Sequence, residues 1–243
     1  MNFLHQLNLK FRAFRYQNKT DKGGIKYILE NVKVGDTVLD IGAHKGGYLY
    51  FIKKQIGEKG KVYAFEPQIS LFNYLVKLKA YLGWNNVFIN NVALSNTKDI
   101  LTLRIPIKGS KKSSPGASLI DIFNKEQEVL EQKIQTLTLD EYCQTNHISP
   151  KLLKIDVEGN ELEVLLGGIE TLKKYSPKLI IESEERHVGQ EKVKQVFNFL
   201  QDLGYKGFFI KDTEFLPLVD FSFEKHQNFN NKPYCNNFIF EKF

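Results

Sequence analysis

Short apolar runs rich in β-branched and aromatic residues alternate along the chain with longer stretches whose apolar positions recur every three or four residues. The runs TVLDI, KVYAF, NVFIN, LLKID, KLIIE, KGFFI and NFIFE predict strands. Residues 48–56, 70–82, 161–174 and 191–203 predict the crossover helices that cover them. The alternation is that of a single doubly wound, mostly parallel α/β sheet.

Two regions depart from it. Residues 99–139 hold LTLRIP, a polar Lys/Ser/Pro/Gly stretch, then ASLIDIF and QTLTL, which predicts a β-rich insertion with a loop over one end of the sheet. Residues 108–118 of that loop are a candidate lid. Residues 1–34 predict a helical segment preceding an α/β domain over 35–243. In that segment Phe3, Leu4, Leu7, Phe11 and Phe14 fall near helical spacing among Lys and Arg. Such a helix packs on the domain or lies on a membrane surface, and packing is the expectation.

The chain has 243 residues, enough for one sizeable core, and no apolar run that would span a membrane. Lys+Arg number 34 against 28 Asp+Glu, a net charge of +6 spread over a mixed surface, so no nucleic-acid partner is expected. Cys143 and Cys235 lack CxxC spacing and neighbouring histidines, which argues against a zinc site or a disulfide framework and fits a reducing, cytoplasmic setting.

Candidate chemistry gathers at the predicted strand ends. The first strand runs into VLDIGAHKGG, where Asp40, Gly42 and Gly46 form D-x-G-x-x-x-G before a helix. Bare α-carbons and free N–H groups there allow close approach to a ligand. The dinucleotide pattern G-x-G-x-x-G is not met, since Asp40 precedes the first glycine and Ala43 and His44 occupy the middle; an acid suits a cationic amino-acid ligand better than a phosphate. Glu66, ending KVYAFEP, can accept from both hydroxyls of a ribose, and Asn91 in NNVALS can bond an adenine edge. In LLKIDVEGNELEVLLGG, Asp156 and Glu158 follow a strand; Glu161 reads as a first-turn helix acid, and the spacing is not that of a calcium loop. IIESEERH places Glu182 at another strand end, with Glu184, Glu185, Arg186 and His187 following in a loop.

In this order, VLDIGAHKGGYLY, VYAFEPQ, NNVALSN, LLKIDVEGNELEVLLGG and KLIIESEERH resemble the FkbM family of S-adenosylmethionine-dependent methyltransferases. The resemblance runs over about residues 35–187. It implies a seven-stranded sheet of the class I methyltransferase type, its last strand antiparallel and inserted beside the fifth. It also implies that Asp40, Gly42 and Gly46 hold the methionine part of the cofactor, with Ala43 and His44 in the same loop, Glu66 the ribose, and Asp156 the neighbourhood of the transferred methyl. The acceptor implied is a hydroxyl of a sugar, glycan or natural product. Residues 212–235 match nothing in that pattern and leave the acceptor unassigned, as is the oligomeric state.

A hydroxyl must lose its proton as it is methylated, so a carboxylate or imidazole within reach assists, in the order Asp156, Glu158, Glu182, His187. The competing readings are a catalytically silent domain that binds a glycan or a partner, and an NAD(P)-dependent oxidoreductase. The second fits poorly, because the loop chemistry argues against it and the step from Asp40 to Glu66 is longer than the roughly 20 residues of the dinucleotide fingerprint.

Overall fold

The computed structural model describes residues 3–107, 116–120 and 128–242, with side chains described from residue 9 onward. All seven expected strands are present: β1 (Thr37–Ile41), β2 (Lys61–Phe65), β3 (Val87–Asn90), β7 (Leu152–Ile155), β8 (Lys178–Glu182), β9 (Lys206–Lys211) and β11 (Asn237–Glu241). An eighth, β10 (Glu214–Pro217), folds back on β9 across a tight Asp212–Thr213 turn. Asp212 is left-handed there at φ 58°, which short polar side chains tolerate. The order is β3-β2-β1-β7-β8-β11-β9-β10. β1, β2, β3, β7 and β8 pair in parallel, and β11 runs antiparallel between β8 and β9.

Alternation along the strands divides the core. Val38, Val62, Leu152, Ile180 and Ile239 face one layer of helices: α1 (Phe3–Arg15), α2 (Lys22–Asn31), α3 (Gly47–Ile56) and α4 (Ile69–Leu82). Leu39, Tyr63, Leu153, Leu179 and Phe238 face the other: α5 (Leu139–Thr145), α6 (Glu161–Leu166), α7 (Ile169–Tyr175) and α8 (Glu185–Asp202). A π-helical turn, Tyr16–Thr20, joins α1 to α2, and the short α9 (Phe223–His226) precedes β11.

The expected helix over 161–174 is two. Gly167 and Gly168 interrupt it because a Cβ there would lie 2.1 Å from the Ser95 carbonyl oxygen and 2.5 Å from Leu139 Cδ2 respectively, so only glycine allows this turn to approach so closely. The expected hairpin of the insertion is β5 (Ile100–Pro106) against β6 (Val129–Leu137), with β4 (Ala93–Leu94) parallel to β6. Residues 108–115 of the expected lid lie outside the described residues. In α1 the buried face is Leu9 and Ala13, packed with α3, while Phe11 and Phe14 are 64% and 57% exposed, opposite to the expectation for these two phenylalanines. Among the described residues, no helix is long and apolar enough to cross a membrane.

Candidate active site

Parallel strands bring their carboxyl ends to one edge of the sheet. There β1, β2, β7 and β8 end at a cavity of about 530 Å³. Six of the residues expected from the sequence line it: Gly42, His44, Glu66, Asp156, Glu158 and Glu182. Asp40, Ala43, Gly46, Asn91 and His187 stand behind this lining.

The loop after β1 is shaped by contacts a larger residue would break. Gly42 has φ 83°, and a Cβ on it would fall 1.8 Å from the Asp156 carbonyl oxygen. Its N–H and that of Ala43 both donate to the Phe65 carbonyl, which ties the loop to the end of β2. Gly46, at φ 74°, forms the left-handed N-cap of α3. His44 is also left-handed, at φ 48°, an uncommon conformation for a residue with a Cβ. Its N–H donates to Glu66 Oε2 at 2.8 Å, and its Nε2 is buried without a hydrogen-bond partner among the described residues. Burial and the nearby Lys45 charge lower the imidazole pKa to about 4, so the ring is neutral at pH 7.

Glu66 accepts from two backbone groups, His44 N–H on Oε2 and Gln68 N–H on Oε1 at 2.9 Å. Burial nevertheless raises its pKa to about 7, against the pull of those two bonds. The Asn91 amide donates to the carbonyls of Glu66 and Pro67 at 2.9 and 3.0 Å. Its amide hydrogens therefore fasten the turn that carries Glu66.

Lys154 is fully enclosed on β7, in register with Asp40 of β1. Its ammonium lies 2.9 Å from Asp156 Oδ2 and 4.0 Å from Asp40 Oδ1. Burial would lower its pKa, but the carboxylates of Asp156 and Asp40 outweigh that and raise it. Burial in turn lifts the Asp40 carboxyl to about 6 despite the ammonium. The cation next to Asp40 is thus a side chain of this chain.

The acids of β7 and β8 line the same cavity. Glu158 is left-handed at φ 54°; its Oε1 accepts from Gly116 N–H at 2.9 Å, and its carbonyl accepts from the Ser118 hydroxyl at 2.7 Å. Glu158 therefore joins the insertion to the strand ends. Its pKa rises to about 7 through burial and the charges of Asp156 and Glu184. Glu182 is raised further, by burial first and then by Asp156, Glu184 and Glu158. His187 Nδ1 stands 3.2 Å from Glu158 Oε2, and burial lowers its pKa. It belongs to the first turn of α8, so the loop expected after Glu182 is helical from Glu185.

Several lining residues were not expected. Arg12, Arg15, Tyr16, Thr20 and Asp21 make the wall contributed by the N-terminal segment. Arg12 Nη1 donates to the Lys45 carbonyl at 2.6 Å, and Asp21 accepts from the Tyr48 hydroxyl and from Gly24 N–H. Asn236 and Asn237 enter because β11 is antiparallel, so its beginning, not its end, lies beside Glu182. The Asn236 amide donates to Glu182 and Glu184 at 2.8 and 2.9 Å. That antiparallel strand was expected from the resemblance and was a usable signal for the asparagines. Among the described residues, no group of three or more His, Cys, Asp or Glu side chains is placed to hold a metal ion.

A sequence model described as the Methyltransferase FkbM domain matches residues 40–206. The chain belongs to this family. Within it, this FkbM chain is 27% identical over 152 residues to hexuronic acid methyltransferase AglP of Haloferax volcanii, a match covering 61% of the chain and 56% of AglP. Among solved structures, the FkbM methyltransferase of Methylobacillus flagellatus KT superposes with a TM-score of 0.55 at 13% identity, over 99% of this chain and 56% of that one. Fibrillarin of Aeropyrum pernix, crystallised with natively bound S-adenosyl-L-methionine, gives 0.54 at 14% identity, over 94% of this chain and 76% of that one. At these identities the structural likeness speaks for a shared class I methyltransferase fold. The chain spans about half the length of AglP and of the M. flagellatus protein.

Proposed function

We propose that the chain is an S-adenosylmethionine-dependent methyltransferase acting on a hydroxyl of a sugar, glycan or related acceptor. The observation that carries this reading is one cavity lined by two chemically distinct sets of residues. One set is the glycine loop with Glu66, the other the carboxylates of Asp156, Glu158 and Glu182, with Asp156 packed against the loop at Gly42. The first set suits the cofactor: His44 offers a buried, unpartnered Nε2, and Glu66 is fixed by two backbone donors with acceptor capacity left for two ribose hydroxyls.

When bound, the cofactor supplies a methyl on a sulfonium for in-line displacement. The residues align the acceptor and exclude water. Asp156, part-exposed into the cavity and held by Lys154, is oriented to take the hydroxyl proton. Glu158 and Glu182 stay protonated to higher pH than an ordinary glutamate, so each can donate a hydrogen bond to a second acceptor hydroxyl. The sugar acceptor draws support from AglP, named for hexuronic acid.

Calorimetry with S-adenosylhomocysteine and with NAD tests the reading. The homocysteine compound should bind the wild type, and Glu66→Ala should weaken it by about tenfold or more, the loss expected when hydrogen bonds to a charged group are removed. Tight NAD binding without S-adenosylhomocysteine binding would overturn the proposal in favour of an oxidoreductase.

A further inference from the structure

A second cavity of about 520 Å³ lies beside the first, and Thr20, Asp21, Asn236 and Asn237 face both. Its remaining wall carries Lys19, Lys22 and Lys232. The acids around it are already engaged. Asp21 accepts from the Tyr48 hydroxyl and Gly24 N–H, and burial raises its pKa; Asp212 pairs with Lys22 at 3.1 Å. Among the described residues, Lys19 and Lys232 have neither a hydrogen bond nor an ion pair, so the wall keeps two uncompensated positive charges. The amino end of α2 adds nothing to the case, since Asp21 already caps it.

Size bears on what these charges face. Cavities of roughly 300–1,000 Å³ each enclose about one drug-sized ligand. A cofactor and one sugar ring would therefore fill the first cavity, and the shared rim gives a group attached to that sugar a path into the second. The chemistry on the far side is a pair of lysines without counter-ions, which suits an anion rather than another neutral sugar.

We propose that the second cavity holds the phosphate or diphosphate of an activated sugar acceptor, whose ring lies over Asp156, Glu158 and Glu182. This rests on the sugar-methyltransferase reading. The phosphate is a binding handle, and no bond to it changes. Its source is either a nucleotide or a lipid carrier, and both present the same diphosphate.

The test uses the full chain, with and without S-adenosylhomocysteine, titrated with inorganic pyrophosphate, UDP and the soluble isoprenoid citronellyl diphosphate. Pyrophosphate should bind, and Lys19→Ser/Lys232→Ser should weaken it by about tenfold or more while leaving S-adenosylhomocysteine affinity unchanged. Both lysines are exposed, so the variant keeps its fold. UDP binding tighter than pyrophosphate assigns a nucleotide, and citronellyl diphosphate binding tighter assigns a lipid carrier. No pyrophosphate binding, or equal binding by wild type and variant, overturns the proposal. A chain that binds pyrophosphate but not S-adenosylhomocysteine would instead fail the methyltransferase reading, so the two failures are distinct.

Discussion

Lys154 sits in a four-residue strand whose other members, Leu152, Leu153 and Ile155, are buried and apolar, and its ammonium bridges two carboxylates. Asp40 has no hydrogen-bond partner among the described residues, so that ammonium is its compensation. Removing one member of a buried pair leaves the other uncompensated and costs about 3–5 kcal/mol. Lys154→Met should therefore lower stability by about that much in urea unfolding, and adding Asp40→Asn should recover much of the loss; an unchanged midpoint in the single variant would show that the pair does not support the fold. Asp156 is tested differently. Asp156→Asn should slow methyl transfer by about 10²–10⁴-fold, the usual worth of a positioned base, with S-adenosylhomocysteine affinity retained. Asp156 and Glu66 were legible in the sequence because each ends an apolar run. Lys154 was not, although a lysine two residues before Asp156, on the same face of the strand, was a signal for a paired charge.

At the scale of elements, the seven main strands could be read because strands buried on both faces are short, continuous apolar runs. β10 could not, since its Asp-Thr turn lacks the glycine that announces a hairpin. α1, one of the helices lining the cavity, shows the same limit. Leu9, Arg12, Ala13 and Tyr16 form an i, i+3, i+4, i+7 stripe, but its centre is an arginine and an alanine, so the larger Phe11 and Phe14 drew the expectation to the wrong side. Ala13 is 2% exposed, which leaves no room for a larger side chain, and Arg12 ties the helix to the Lys45 carbonyl in the loop after β1. Ala13→Glu should detach α1 from α3. Trypsin cleavage at Arg12 and Arg15 should accelerate, and S-adenosylhomocysteine affinity should fall as the loop loses its anchor. Unchanged proteolysis would show that α1 tolerates the charge where it lies.

Taken over the whole molecule, the +6 net charge says little about the site, because buried acids are concentrated at one end of the sheet. Composition cannot reveal such clustering; only the fold brings residues 40, 66, 158 and 161 together. Burial raises the pKa of Asp40 to about 6, of Glu66 and Glu158 to about 7, and of Glu161 to about 8. A carboxyl with a raised folded-state pKa binds more protons folded than unfolded across the interval between its two pKa values, so stability falls there as pH rises. Below the ordinary carboxylate range all four are protonated in both states and their contribution is complete; above about pH 8 it has been lost. The burial-lowered His44, His187 and His226 add stability as pH rises toward 6.5, so the melting temperature should decline between about pH 6.5 and 8.5, where the carboxyls act alone. Glu161→Gln removes the group among these four whose share of the decline extends to the highest pH. The amide oxygen can still accept from Gly159 N–H, which now bonds Glu161 Oε1 at 2.8 Å, but it does not ionise. The variant should match the wild type at about pH 4 or below and gain stability relative to it progressively between about pH 4.5 and 8; parallel melting curves across the range would mean that Glu161 does not drive the loss. Saturating S-adenosylhomocysteine should raise the whole curve by mass action, by about 2.7 kcal/mol at a hundred times its Kd, and leave the Glu161→Gln difference in place because Glu161 is not among the residues lining the cavity.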